Sequence, residues 1–224
     1  MNKAAFYSTI AMLPVFAYAP LTNAALELDE PDSKTMKIEQ PLQINDQMIS
    51  FSIESAIESG HMDKQETIKL DELLEDGPVV LTFYRGSWCP YCIGELSAIQ
   101  QRLEKITDAG ATVLAISPEV PGKTADLAAQ KKLGFLFGTD HDNALAKQLA
   151  LWFELDAKTV KKYGQYGIDL PEANGTDSWE LPIPATYVID SDRTIRFAFV
   201  DENYSKRADY DEVLKVLKEL QKND

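Results

Sequence analysis

The chain has 224 residues and a formal net charge of −14, with 36 Asp and Glu against 22 Lys and Arg. So acidic a protein repels nucleic acid and anionic lipid surfaces, which excludes nucleic-acid binding. Hydrophobic residues make up 45% of the chain, with 9 Phe and 9 Tyr, enough for one sizeable core.

Met1-Asn2-Lys3, the apolar run from Ala4 to Leu21 and the small residues around Ala24 predict a secretory signal peptide over residues 1–24. Export places the mature chain in an oxidising compartment, the periplasm, and the membrane is a partner only if that segment stays uncleaved. Residues 25–66 are predicted as a flexible or partly helical N-terminal extension. Within it, Ile44, Met48, Phe51, Ile53 and Ile57 line one helix face, and Gly60 to Lys64 form a loop. One domain is expected over 67–222.

That domain opens with Thr67 to Leu70 and a short helix over Asp71 to Glu75, stopped by Asp76-Gly77-Pro78. Val79 to Tyr84 is a β-favouring run of the kind buried on both faces of a sheet. Ile93, Leu96, Ile99, Leu103 and Ile106 recur at helical spacing from Pro90 to Thr107. A second strand follows over Ala111 to Ile116, a helix over Lys123 to Leu133, and a short strand over Phe135 to Phe137. Asn143 to Leu155 reads as helical, with Asp140-His141-Asp142 as its cap, and Tyr163 to Asp177 as a long irregular insertion. Thr186 to Ile189 and Ile195 to Val200 form a hairpin, and Val213, Val216, Leu217 and Leu220 mark a final amphipathic helix. Strands alternating with helices, closed by a hairpin, predict a three-layer α/β/α fold with a central mixed sheet.

The chemistry is concentrated in Cys89-Pro90-Tyr91-Cys92, which holds both cysteines of the chain. Two thiols one helical turn apart close a disulfide with little backbone movement. The first, nearest the helix N-terminus, is the one ionised by the helix dipole and open to solvent; the second is more buried and less acidic. Cys89 is therefore expected to attack and Cys92 to resolve, Trp88 lying on the loop beside them. The rival reading is a static bridge, but so short a loop removes little chain entropy and stabilises weakly. Zinc is disfavoured, since only His61 and His141 accompany the two cysteines. No Gly-rich phosphate loop and no Gly-x-Ser-x-Gly is present, so no cofactor is implied. Leu181-Pro182-Ile183-Pro184-Ala185-Thr186 suggests a cis Ile183–Pro184 bond turning a strand entrance towards the dithiol. Arg85 is expected as a solvated loop charge, with a second reading as a cation beside Cys89; Glu95 is expected to be a solvated helix charge.

Phe83 to Cys92 resembles the active-site segment of thioredoxin-fold proteins. More narrowly, it resembles the peroxiredoxin-like branch of the alkyl hydroperoxide reductase/thiol-specific antioxidant (AhpC/TSA) family. Gly167 to Pro171, Ser178 to Pro182 and Pro184 to Asp190 are similar to the same branch, and the resemblance runs from about Thr67 to Leu220. It implies a thioredoxin-like fold, redox or antioxidant chemistry and a catalytic cysteine, carried here onto Cys89. The substrates implied are thiol or disulfide proteins, or a peroxide, with an external thiol reductant. The chain departs from authentic peroxiredoxins in having Gly86 three residues before the cysteine, where they carry Thr or Ser, and Pro184 where they carry Arg. The proline instead resembles the partner-docking proline of thiol–disulfide oxidoreductases. The reading is a thiol–disulfide oxidoreductase in which Ile183, Pro184, Trp88 and Arg85 meet the partner. Thiol peroxidase is the first alternative, a non-enzymatic domain with a static bridge the second.

Overall fold

A computed structural model describes residues 38–57 and 66–222. The predicted signal segment and the predicted loop over Gly60 to Lys64 lie outside the described residues. In chain order the main elements are β1 (Ser52–Ser55), β2 (Thr67–Lys69), α1 (Leu70–Glu75), β3 (Val79–Phe83), α2 (Pro90–Asp108), β4 (Thr112–Ser117), α3 (Pro121–Lys131) and β5 (Leu136–Thr139). There follow α4 (Ala144–Gln148), β6 (Trp152–Glu154), α5 (Ala157–Gln165), α6 (Leu170–Asn174), β7 (Glu180–Pro182), β8 (Ala185–Ile189), β9 (Ile195–Val200) and α7 (Tyr210–Leu220).

Seven strands form one mixed sheet in the order β2-β1-β5-β4-β3-β8-β9. β3 lies inside it, parallel to β4 with Val79 opposite Thr112, and antiparallel to β8 with Val79 opposite Ile189. Every residue of β3 is buried, as its continuous apolar run requires. Strand alternation sends its side chains to opposite layers. Val80 joins Leu96, Ile99 and Ile106 of α2 and Val213 and Leu217 of α7 on one face. Leu81 and Phe83 join Leu70 and Leu74 of α1 and Leu145 and Leu149 at α4 on the other. The three-layer α/β/α architecture is thus present, with the β3–α2 junction at the end of an interior strand.

Three stretches differ from the sequence reading. Residues 41–57, predicted as a partly helical extension, belong to the domain. β1 pairs with β2 and β5, and Met48, Phe51 and Ile53 are core residues. The backbone there bonds over long range, Met48 N–H to Arg193 C=O at 2.9 Å and Asn45 N–H to Ile195 C=O at 2.8 Å, so the helical spacing of the apolar residues has no local ladder behind it. The helix predicted to Leu155 ends at Gln148, because Ala150 turns left-handed at φ 55° and Leu151 N–H closes on Ala146 C=O. Beyond it, β6 pairs with β7, Phe153 opposite Leu181. Asp140 does cap the short helix, accepting from the N–H groups of Leu145 and Ala146 at 2.8 and 2.9 Å. The supposed irregular insertion contains the end of α5 and the whole of α6. Asp156 and Asp169 cap their N-termini, and Gly175 closes α6 at φ 67°.

Candidate active site

β3 delivers the chain into the layer between sheet and helices, and α2 carries it away. The turn between them, Tyr84 to Cys89, is pinned from across the sheet. Buried Glu119, just past β4, accepts from Ser87 N–H at 2.6 Å and Ser87 Oγ at 2.8 Å. Gly86 sits at φ +152°, and a Cβ there would lie 2.4 Å from Trp88 Nε1, so only glycine lets the turn close against the indole. Cys89 then occupies the N-cap of α2 with Pro90 in the first turn, and its Sγ accepts from Cys92 N–H at 3.4 Å.

Both sulfurs are unbonded thiols, and both residues have 0% exposure. This corrects the expectation that Cys89 is open to solvent. Arg85 and its aromatic neighbours build the wall beside the sulfur. Arg85 is itself only 4% exposed, which corrects its reading as a solvated charge. Its Nη2 donates to Cys89 Sγ at 3.5 Å and its Nη1 to Tyr163 Oη at 3.0 Å, while the guanidinium lies 4.0 Å from the Tyr204 ring and 5.0 Å from the Trp88 ring. Trp88 packs edge-on to Tyr163, and Tyr204 edge-on to exposed Tyr91. Arg85 and Trp88 therefore join the dithiol.

Ile183 and Pro184 do not provide the expected docking edge. The described residues contain no cis peptide bond, and both side chains are buried. Their backbone is already used, Ile183 N–H by Leu151 C=O at 2.8 Å and Pro184 C=O by Asp201 N–H at 3.4 Å. These two backbone groups are thus served within the chain, beside the antiparallel pairs β6–β7 and β8–β9, and are not open to an extended partner.

The two thiols titrate in opposite directions. Cys89 is held well below the usual thiol range by the hydrogen bond from the Cys92 thiol first, with Arg85 and the Cys92 N–H adding to it against the cost of burial. Burial first, then the neighbouring Cys89, pushes Cys92 up. An ionised Cys89 beside a protonated Cys92 is the form ready for nucleophilic attack.

Glu95 lies one turn beyond Cys92 and is 5% exposed, which corrects its reading as a solvated charge. Its Oε1 accepts from Tyr210 Oη at 3.2 Å and Thr186 Oγ1 at 3.4 Å, and its Oε2 lies 2.7 Å from Arg207 Nε. Burial pushes its carboxyl up to about 7, against the pull of Arg207. Thr82, an upstream hydroxyl of the segment, bonds within this group to Thr186 Oγ1 at 3.2 Å. Sequence reasoning missed Glu119, Tyr163, Tyr204 and Arg207. They lie 27 or more residues beyond the motif, with no local pattern to mark them.

The AhpC/TSA family matches residues 44–198 of this chain. The chain belongs to the AhpC/TSA family. Like its relatives there, it is a peroxiredoxin-like thiol oxidoreductase. It is 25% identical over 114 residues to the bcp protein of Haemophilus influenzae, named with the peroxiredoxins, covering 51% of this chain and 68% of that one. It is 27% identical over 143 residues to the chloroplastic peroxiredoxin Q of Populus jackii, covering 64% of this chain and 56% of that one. The crystal structure of peroxidoxin BcpB from Mycobacterium tuberculosis has the same fold, with a TM-score of 0.60 and 20% identity over 80% of this chain and 98% of that one. Within this AhpC/TSA member, Arg85 sets a guanidinium beside Cys89.

Proposed function

We propose that this AhpC/TSA protein is a two-cysteine thiol peroxidase, with Cys89 attacking the peroxide and Cys92 resolving the product. The observation that carries the reading is a covered, low-pKa Cys89 sulfur whose Arg85 hydrogen bond places a cation at the point of attack. Such a wall admits a small oxidant after a side-chain shift, while the Ile183 N–H and Pro184 C=O that an extended protein partner would use are already bonded within the chain.

The Cys89 thiolate attacks one peroxide oxygen. The O–O bond breaks, and the departing alkoxide or hydroxide takes a proton to become alcohol or water. Arg85 stabilises the charge as it moves from sulfur to the leaving oxygen. The resulting Cys89 sulfenic acid condenses with Cys92, forming the disulfide and releasing water. An external dithiol reductant then exchanges with that disulfide and restores both thiols. We read the leading segment, Met1 to Ala24, as placing this chemistry in the periplasm, which cell fractionation tests.

Stopped-flow oxidation of the reduced protein by hydrogen peroxide tests the function. A second-order rate many orders of magnitude above that of a low-molecular-weight thiol is expected. A rate no better than such a thiol, with rapid exchange on protein disulfides, returns the chain to disulfide exchange as its main activity.

A further inference from the structure

The mechanism above leaves one buried ionic group unused. Arg207 stands in the segment between β9 and α7, 115 residues from Cys92, and its Nη2 donates to Cys92 Sγ at 3.2 Å. Its Nε lies 2.7 Å from Glu95 Oε2, and its Nη1 donates to the carbonyl of Lys206 at 2.6 Å and to that of Tyr204. The three nitrogens of one planar fork therefore face a sulfur, a carboxylate and the segment's own backbone. Glu95 shares the Cys92 face of α2 at i+3 spacing, and Tyr210 and Thr186 hold it from α7 and β8. An ion pair at this depth costs desolvation that an apolar pair would not, so it is weakly explained by stability alone.

We propose that Arg207 is a catalytic residue of the resolving step, its Nη2 stabilising the thiolate that Cys92 must become, and that Glu95 is the positioning residue that fixes the guanidinium there. The proposal rests on the assignment of Cys92 as the resolving thiol. In that step Cys92 loses its proton, and its sulfur forms a bond to the Cys89 sulfur of the sulfenic acid. The Cys89 S–O bond breaks, and the departing hydroxide takes a proton to leave as water. The sulfenic sulfur is reduced and the Cys92 sulfur oxidised, so no further oxidant is needed. The barrier is the ionisation of a thiol that burial holds protonated. Arg207 is the cation that pulls the other way on it. The charged or titratable groups facing Cys92 are Cys89 across the turn, Arg85 from the preceding loop, Tyr84 from the end of β3 and Arg207. Arg85 is committed to Cys89 and Tyr163, which leaves Arg207 as the cation bonded to the second sulfur.

The test is single-turnover oxidation of the full-length reduced protein by one equivalent of hydrogen peroxide, quenched at intervals and read by mass spectrometry. Cys89 sulfenic acid is trapped with dimedone, and the disulfide is counted separately. In Arg207→Gln, sulfenic acid is expected to form at the wild-type rate. Disulfide formation is expected to slow about tenfold or more, the loss of one charge-assisted hydrogen bond, and its pH profile to move to higher pH. Arg207→Lys is expected to recover part of the rate, because a point cation without the fork cannot span sulfur and carboxylate together. Excess peroxide should then drive more Cys89 to sulfinic acid in Arg207→Gln than in wild type. A wild-type rate of disulfide formation in Arg207→Gln overturns the proposal. If that variant does not fold, Arg207→Lys carries the test alone, a slower resolving step supporting the proposal and an unchanged one overturning it. Cys92→Ser separates the underlying assignment. If it accumulates no trappable Cys89 sulfenic acid, the role of Cys92 fails and the Arg207 proposal with it. If it does accumulate while Arg207→Gln resolves normally, Arg207 alone fails.

Discussion

Each sulfur of the Cys89–Cys92 pair receives one guanidinium hydrogen bond, at 3.5 Å from Arg85 and 3.2 Å from Arg207, yet the two thiols are driven to opposite acidities. Cys89 also collects a thiol hydrogen bond and a backbone N–H at the start of α2, and among the described residues no carboxylate is paired with its arginine. Cys92 lies deeper, and Glu95 takes part of the charge of its arginine. The comparison teaches that a nearby cation does not by itself make a reactive cysteine. The helix end and the direction of the shared proton decide which thiol ionises.

The largest effect that tests this asymmetry is expected from Cys89→Ser. Peroxide-dependent turnover should fall about 10³-fold or more, while Cys89 retained and Cys92 removed still permits the first oxidation. Substantial activity in Cys89→Ser, measured with a coupled thiol reductant, would mean that the acidic sulfur is not the nucleophile. Gly86→Ala should cost roughly 2 to 3 kcal/mol in denaturant unfolding, because the added methyl meets the Trp88 indole in a backbone region that favours glycine. A change under about 0.5 kcal/mol would show that the turn holding Cys89 relaxes freely.

Arg85→Gln should act mainly on the first sulfur, to which its guanidinium is hydrogen-bonded. Wild-type alkylation by iodoacetamide should stay fast through neutrality and fall only in the acid range, because the ionised form persists until pH drops through the depressed pKa. Without the cation, the inflection should move to higher pH and the rate at pH 6 should fall about tenfold. An unmoved inflection would assign the acidity to the Cys92 hydrogen bond and the helix end alone. The smallest change is expected from Glu119→Gln, which weakens the two bonds to Ser87 and should lower stability by about 1 kcal/mol with the alkylation profile little altered. A large shift of that profile would make Glu119 part of the electrostatics of Cys89 as well as of its scaffold.

The Cys-Pro-Tyr-Cys motif, the buried β3 run, the helical repeat of α2 and the amphipathic α7 were all legible in the chain, because each follows from spacing and side-chain type within one segment. The two neighbouring thiols and the family were legible for the same reason. What needed the tertiary structure depended on partners far away in sequence. β1 is a strand because β2 and β5 pair with it, and β6 because β7 does. Arg85 and Glu95 sit in local patterns indistinguishable from solvated charges, and burial is decided by what later segments lay over them, Tyr163 and Tyr204 over one, Tyr210 and Arg207 over the other. Local sequence thus set the two thiols side by side at the start of α2. Packing alone determined which charges reach the two sulfurs, because desolvation belongs to the assembled core and to no single stretch of chain.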